Sequence, residues 1–445
     1  MTHHEAVSEW IACVSSTVPH LSAPQATVLA WWRFGIACTR SCGRLTVATV
    51  LALLRTQKVA TIEQRWYEWW VAAPRKAGTQ RQTLAVTTCF APFLAWIVRG
   101  WHGKQIALAL DATTLHDRFV VLTSSVVSRG TGIPVAWTVL PAGQSRSWRR
   151  AWLRMLRVLR PAIPPDGMVI VLADRGLDAR WLVRRIVRLG WHPFLRSNAG
   201  AKVRPAGQAR WEWLRALVSP DGQPRQYAGT CFKHPASRLP CTLLVWADDT
   251  HADPWFILTD LAPGIADRAW DGLRAWCEQG FTCTKRGGWQ WQMTQMTDPD
   301  RAARRWLALA LAMFWMVTVT IGTDRETGPP ESCPDLPDLR PLVGGVRHGR
   351  MRHIRLVRLG WLWLLVQWIQ QAPLPLPRQL VPEPWPITPP PRARDHPLQR
   401  VPFTSPSHSA PTRAGSPPAR FLLLFLNLLR PHARGITYDP IPRFF

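Results

Sequence analysis

At 445 residues the chain can bury a sizeable core and divide into two or three domains, which excludes a single small module. Lys and Arg number 55 against 28 Asp and Glu, a net +27 at pH 7, so the partners favoured are polyanions, either nucleic acid or a membrane surface. Only six of the 55 cations are Lys; the guanidinium fork suits paired contacts to phosphate, although Arg richness follows equally from genomic base composition.

Residues 1–100 are predicted to form a helical N-terminal domain, from runs such as "ATVLAWWRFGIA" and "TVATVLALLRT" separated by turn-forming clusters. Two of its helices, joined near Lys58 to Thr61, are compatible with a helix-turn-helix, and so with DNA binding, but any small helical bundle gives the same pattern. "MTHHEAVSEW" has neither a basic region nor an apolar core, so no export signal is expected. Nine Cys lie scattered without a CxxC pair, the pattern of free thiols in a reducing cytosol. Cys38 and Cys42 could hold half a zinc site, but no second pair with ligand spacing follows.

Residues 101–325 change character. "QIALALD" is an apolar strand ending in Asp111, and "RFVVLTSSVVSRG" and "IPVAWTVLP" are β-rich with a hairpin turn at "RGTG". A helix with basic residues outside, "SWRRAWLRMLRVLR", precedes the strand "GMVIVLAD", which ends in Asp174. The helix "DARWLVRRIVRLG" and the strand "WHPFLRSN" follow, with Asp178 placed to cap that helix. A three-stranded meander followed by helix, strand, helix and strand predicts an α/β fold, a mixed sheet in ribonuclease-H-like order. Residues 198–262 are turn-rich with short β-type pieces and read as a β-rich insertion. Helical pattern returns from Asp267, pauses at Gly287–Gly288 and resumes at Asp300.

Trp306 to Thr323 carries no charge over 18 residues, the threshold for a spanning helix. Thr318, Thr320 and Gly322 weaken its second half, and neither later apolar stretch matches it, so burial in a core is expected rather than a membrane span. Residues 326–445 are expected to hold a C-terminal helical segment and a tail that is extended or disordered. Fifteen of the 41 prolines fall between Pro373 and Pro418.

Asp111 and Asp174 each close an apolar strand, where side chains leave the core and meet ligand. Neighbouring strands lie about 4.8 Å apart, so the two can share one cation; alternatively each caps a turn. In "RAWCEQGFTCTK", Arg274, Glu278 and Lys285 would share one helix face, reading cation, anion, cation. An ordinary i,i+4 ion pair between Arg274 and Glu278 explains part of that. Three carboxylates brought together repel one another, and hard divalent ions resolve the repulsion while clamping a phosphodiester. Trp289 or Trp291 in "GGWQWQ" is a candidate to stack on an unpaired base, with core packing the alternative. No GxxxxGK[ST] or GxGxxG is present, so no nucleotide cofactor is expected.

The order Asp111, Asp174, Glu278, with Arg-x3-Glu-x6-Lys as "RAWCEQGFTCTK", resembles the DDE transposases of bacterial insertion sequences, in the subgroup with a Tyr-x2-Arg-x3-Glu-x6-Lys signature. "LALDATTLHDRFVVL" and "ADRGLDARWLVRRI" are similar to that family's two Asp regions. The resemblance implies a ribonuclease-H-like catalytic domain with a β insertion, and strand cleavage and transfer at the ends of a mobile element. It implies two Mg2+ ions, with Mn2+ able to substitute, held by Asp111, Asp174 and Glu278, and DNA contacts from Arg274 and Lys285. The partners implied are double-stranded DNA, as terminal inverted repeats and target, bound by a homodimer in the cytoplasm at the nucleoid. One position departs: Asp271 stands where the family has Tyr. It cannot stack as a ring does; it would pair with Arg274 or repel phosphate, with Trp270 as a partial substitute. The alternatives are a DNA-binding protein of transposase descent that no longer cuts, and a nuclease without strand transfer.

Overall fold

The N-terminal segment folds as five helices: α1 (His3–Thr17), α2 (Ala23–Thr39), α3 (Arg44–Arg55), α4 (Val59–Trp70) and α5 (Phe90–Ile97). A capping box between Ser22 and Gln25 starts α2, and Thr56 in the left-handed region ends α3. The α3–α4 connection therefore falls at residues 56–58, slightly before the expected join. Tryptophans fill the space between these helices: Trp32 packs edge-on against both Trp66 and Trp70. In the computed structural model the described residues are 3–76, 82–115, 117–143, 148–247, 253–321 and 352–370, with most of 372–388.

The β-branched runs that follow form β1 (Gln105–Leu115), β2 (Phe119–Ser128) and β3 (Thr131–Pro141), an antiparallel meander. Arg129 and Gly130 join β2 to β3 with φ of 51° and 74°, as a two-residue hairpin loop requires. Every residue of β2 is buried. Next come α6 (Arg149–Leu159), β4 (Met168–Ala173), α7 (Arg180–Arg188) and β5 (His192–Arg196), with β4 and β5 parallel to β1. Both helices keep a narrow apolar stripe, such as Leu182, Val183 and Ile186 on α7, and turn their arginines outward.

Residues 198–262 do not stand apart from this sheet. They supply β6 (Lys202–Pro205), β7 (Glu212–Trp213), β8 (Arg225–Cys231), β9 (Leu239–Trp246) and β10 (Trp255–Thr259). Because β10 pairs antiparallel with β5, one ten-stranded sheet results, ordered β3-β2-β1-β4-β5-β10-β9-β8-β6-β7.

The chain then returns as α8 (Ala275–Thr284), α9 (Pro299–Ile321) and α10 (Arg352–Ile369). By length and composition α9 could cross a membrane, but 94% of its apolar window is buried inside the protein. It packs against β3, α2 and α10. It meets α10 backbone to backbone at Gly360, where a methyl group would overlap the Met316 carbonyl. The described residues up to Thr388 belong to one compact unit. The described part of the proline-rich stretch is extended and packs on it. Leu380 and Trp385 are buried, the Leu380 carbonyl accepts from Trp101 Nε1 at 2.5 Å, and Glu383 accepts from the Arg129 N–H. The rest of the tail, from residue 389 on, lies outside the described residues.

Candidate active site

The parallel pairing of β1 with β4 ends at Leu110 opposite Ala173, so Asp111 and Asp174 occupy the next position on each chain. Here β1 differs from expectation: it runs on to Leu115, held by β2 alone, so Asp111 lies inside a strand rather than at its end. Its Oδ1 accepts from the Ala112 N–H at 2.7 Å. Burial pushes the Asp111 carboxyl up to about 6; the Ala112 N–H and Arg274 pull it down, and Glu278 and Asp174 push it up. Asp174 is exposed, and its Oδ1 accepts from the Arg175 N–H at 2.7 Å to cap the short helical turn Arg175–Leu177. The capping role expected for Asp178 is not observed: Ala179 occupies the N-cap of α7, and Asp178 is turned inward toward Ser197 and Asn198.

Glu278 comes from the first turn of α8. That helix lies on β3 with almost no intervening side chain, since a methyl on Gly280 would overlap the Gly132 carbonyl, and one on Gly132 would come within 2.8 Å of Cys277 Cα. Glu278 is exposed and pairs with Arg274, Nη2 to Oε1, at 3.2 Å. Burial works against the Arg274 charge, but Asp174, Glu278, Asp111 and Asp271, in decreasing order, outweigh it and raise its pKa. The guanidinium thus lies within the field of all three acids. Among the described residues no three acids stand close enough to share one cation, and Arg274 supplies the positive charge between them. The donor set, three carboxylates with one resisting ionisation, is the kind that hard divalent cations stabilise.

Arg274 ends the 3-10 segment Arg268–Arg274 and Lys285 lies just past the last residue of α8, with φ −97° and ψ −136°. Ten residues separate them, about 15 Å of helix, so they could reach two separate phosphates but not one. Burial lowers the Lys285 pKa. Trp289 and Trp291 are 1% and 0% exposed, and Trp291 packs edge-on against Trp306 at 5.1 Å. Neither is available to stack on a base, because the Gly287–Gly288 break turns the chain inward.

Asp271 is 5% exposed and pairs with Arg196 at the end of β5, not with Arg274: Nη2 to Oδ2 is 2.5 Å and Nε to Oδ1 is 3.0 Å. The Arg196 guanidinium also lies 3.8 Å from the Trp255 ring centroid. The Asp271 charge is therefore neutralised inside the protein, and it does not face a phosphate. Trp270 is no substitute for a tyrosine, being buried between Phe194 and Trp385. Two contributions were missed from sequence. Arg196 closes the strand "HPFLR" as Asp111 and Asp174 were read to close theirs, which was the available signal. Thr388 bonds both carboxylate oxygens of Asp267, the N-cap of the turn leading to Arg274, with its backbone N–H 2.8 Å from Oδ2; nothing in the sequence pointed to it.

No family model and no curated protein matches the sequence. Among solved structures, the chain is similar to one titled "Cryo-EM structure of piggyBac transposase synaptic complex with hairpin DNA (SNHP)", at 10% identity over 82% of this chain and 79% of that one, with a TM-score of 0.31.

Proposed function

We propose that the protein is a DDE transposase that cleaves DNA at the ends of an insertion sequence and transfers the freed strand, working through a ribonuclease-H-like core. The observation that carries this reading is the pairing of β1 with β4, after which Asp111 and Asp174 stand side by side, with Arg274 under the influence of both and of Glu278. The meander β1-β2-β3 with β4 and β5 parallel to β1 supports the ribonuclease-H-like order. The net charge of +27 supports a polyanionic substrate.

If the three acids draw together on a bound DNA end, Asp111, Asp174 and Glu278 would hold Mg2+ or Mn2+, which would supply positive charge to the phosphate oxygens and acidify the attacking hydroxyl or water. Arg274, already beside the acids, is positioned to neutralise the phosphate that enters, and Lys285 to hold a second phosphate along the strand. The protein needs no covalent intermediate for this chemistry. The test uses a labelled duplex carrying the DNA that flanks the gene, with Mg2+. Asp111→Asn, Asp174→Asn and Glu278→Gln are each expected to lose cleavage on the order of 100-fold or more while binding the duplex within about twofold. Retained cleavage in any one removes that residue from the site. Joining of the cut 3′ end to new DNA separates a transposase from a simple nuclease.

A second reading is favoured by Arg274 lying among acids of which no three close around one cation: a DNA-binding protein that no longer cuts. It predicts that the unaltered protein binds the flanking duplex and leaves it intact.

A further inference from the structure

A cleft of about 380 Å3 opens between the α2–α3 turn, α4 and the segment after Lys285. Three guanidinium groups line it. Arg44 pairs with Glu63 at 2.9 Å and Arg301 with Asp298 at 3.3 Å. Arg305 is different: it is 4% exposed, its Nη1 donates to Thr294 Oγ1 at 2.8 Å, its Nε meets no acceptor, and no carboxylate among the described residues pairs with it. The rings of Trp32 and Trp70, 5.7 and 5.8 Å away, compensate only in part. A buried cation without an anion is costly, so a site that lines a cleft with one is adapted to receive the anion from outside.

The start of α3, which also lines the cleft, adds to this. Gly43, the N-cap of the twelve-residue α3, contributes no side-chain cap, and the first turn holds no acid, so the N–H groups of Arg44, Leu45 and Thr46 lack intrahelical acceptors at the positive end of the helix. Two bonds tie this turn to the chain that follows Lys285: Cys42 N to the Trp289 carbonyl at 2.8 Å, and Arg40 Nη2 to the Gly287 carbonyl at 3.3 Å. The cleft is thus continuous with the segment carrying Lys285.

We propose that this cleft binds a phosphate of the DNA backbone, beyond the one at Lys285, so that the helical domain grips the strand next to the acids. The inference rests on the DNA-processing reading above and adds to it a specific seat for the strand. The experiment measures binding of a labelled duplex to the full chain by fluorescence anisotropy across a salt series. Arg301→Gln and Arg44→Gln are each expected to reduce the slope of log K against log salt by about 1. Ser41→Asp places an anion in the cleft where the Ser41 hydroxyl now accepts from the Gly43 N–H at 2.9 Å. It is expected to lower the slope similarly while raising the melting temperature of the DNA-free protein, with Ser41→Asn leaving the slope unchanged. An unchanged slope in both arginine variants overturns the proposal. So does binding of pyrophosphate that Arg301→Gln abolishes with no change in the slope, which would assign the cleft to free phosphates. Cleavage by the acid variants is read separately, so either conclusion can fail while the other stands.

Discussion

Asp271 illustrates how one carboxylate can be buried a few residues before Arg274 without adding to the charge exposed there. Its two oxygens are both held by Arg196, which in turn lies on Trp255, so the pair acts as a structural brace between β5 and the turn leading to Arg274. Asp271→Ala leaves the half-buried Arg196 unpaired, and a loss of about 2–3 kcal/mol in unfolding free energy is expected from denaturant titration. Arg196→Met combined with Asp271→Leu is expected to recover most of it. Asp178 is a different case. Burial pushes its carboxyl from 3.8 up to about 6, with the Ser197 side chain and the Asn198 backbone pulling it down only in part. The folded state therefore gains from this group below about pH 3.8, and that contribution is lost as the pH climbs through about 6. Asp178→Asn is expected to raise stability at pH 8, by on the order of 2 kcal/mol, and to change little at pH 4; equal gains at both would show that its ionisation is immaterial. At this scale the position of Asp174 was legible because an apolar run ending in Asp marks the end of β4, whereas β1 runs on past Asp111 to Leu115, held by β2. The partner of Asp271 was not, because it lies 75 residues away and only folding decides which cation arrives.

Among the elements, α8 sets how near Glu278 comes to the two aspartates. Gly280 and Gly132 let the helix rest directly on the β2–β3 hairpin, and Cys277 fills the remaining space, its thiol 3.7 Å from Ser125 Oγ. Gly280→Val is expected to lift α8 from the sheet, with strand cleavage falling more than 10-fold while duplex binding, to which Arg274 and Lys285 at its two ends are proposed to add only part, falls by much less. Equal losses in both would indicate general unfolding, which the melting temperature of the variant would report. The strand order of β1 to β5 was legible since each run had the length and apolarity of a buried strand. That the 198–262 block would extend the same sheet was not, because pairing of β10 with β5 depends on a partner edge that no local pattern encodes.

For the molecule as a whole, the extended stretch from Gln379 to Thr388 is what links its distant parts. Gln379 bonds the Arg99 carbonyl, Glu383 reaches Arg129 in the hairpin, Trp385 packs 4.8 Å from Trp270, and Thr388 closes on Asp267. Proline abundance suggested a chain unable to form a core. The structure uses that stiffness differently, since a segment with restricted φ loses less freedom when it lies down on a surface already built. A chain ending after residue 372 is expected to melt several degrees below one ending after residue 388 and to lose cleavage, whereas one ending after 388 retains both. All three acids have left the ribosome long before Thr388 is made, so a nascent protein carries Asp111, Asp174 and Glu278 while the brace on Asp267 is still missing. A message cut short upstream of that codon yields a product that keeps the three acids but lacks the contact fixing the N-cap of the turn that leads to Arg274.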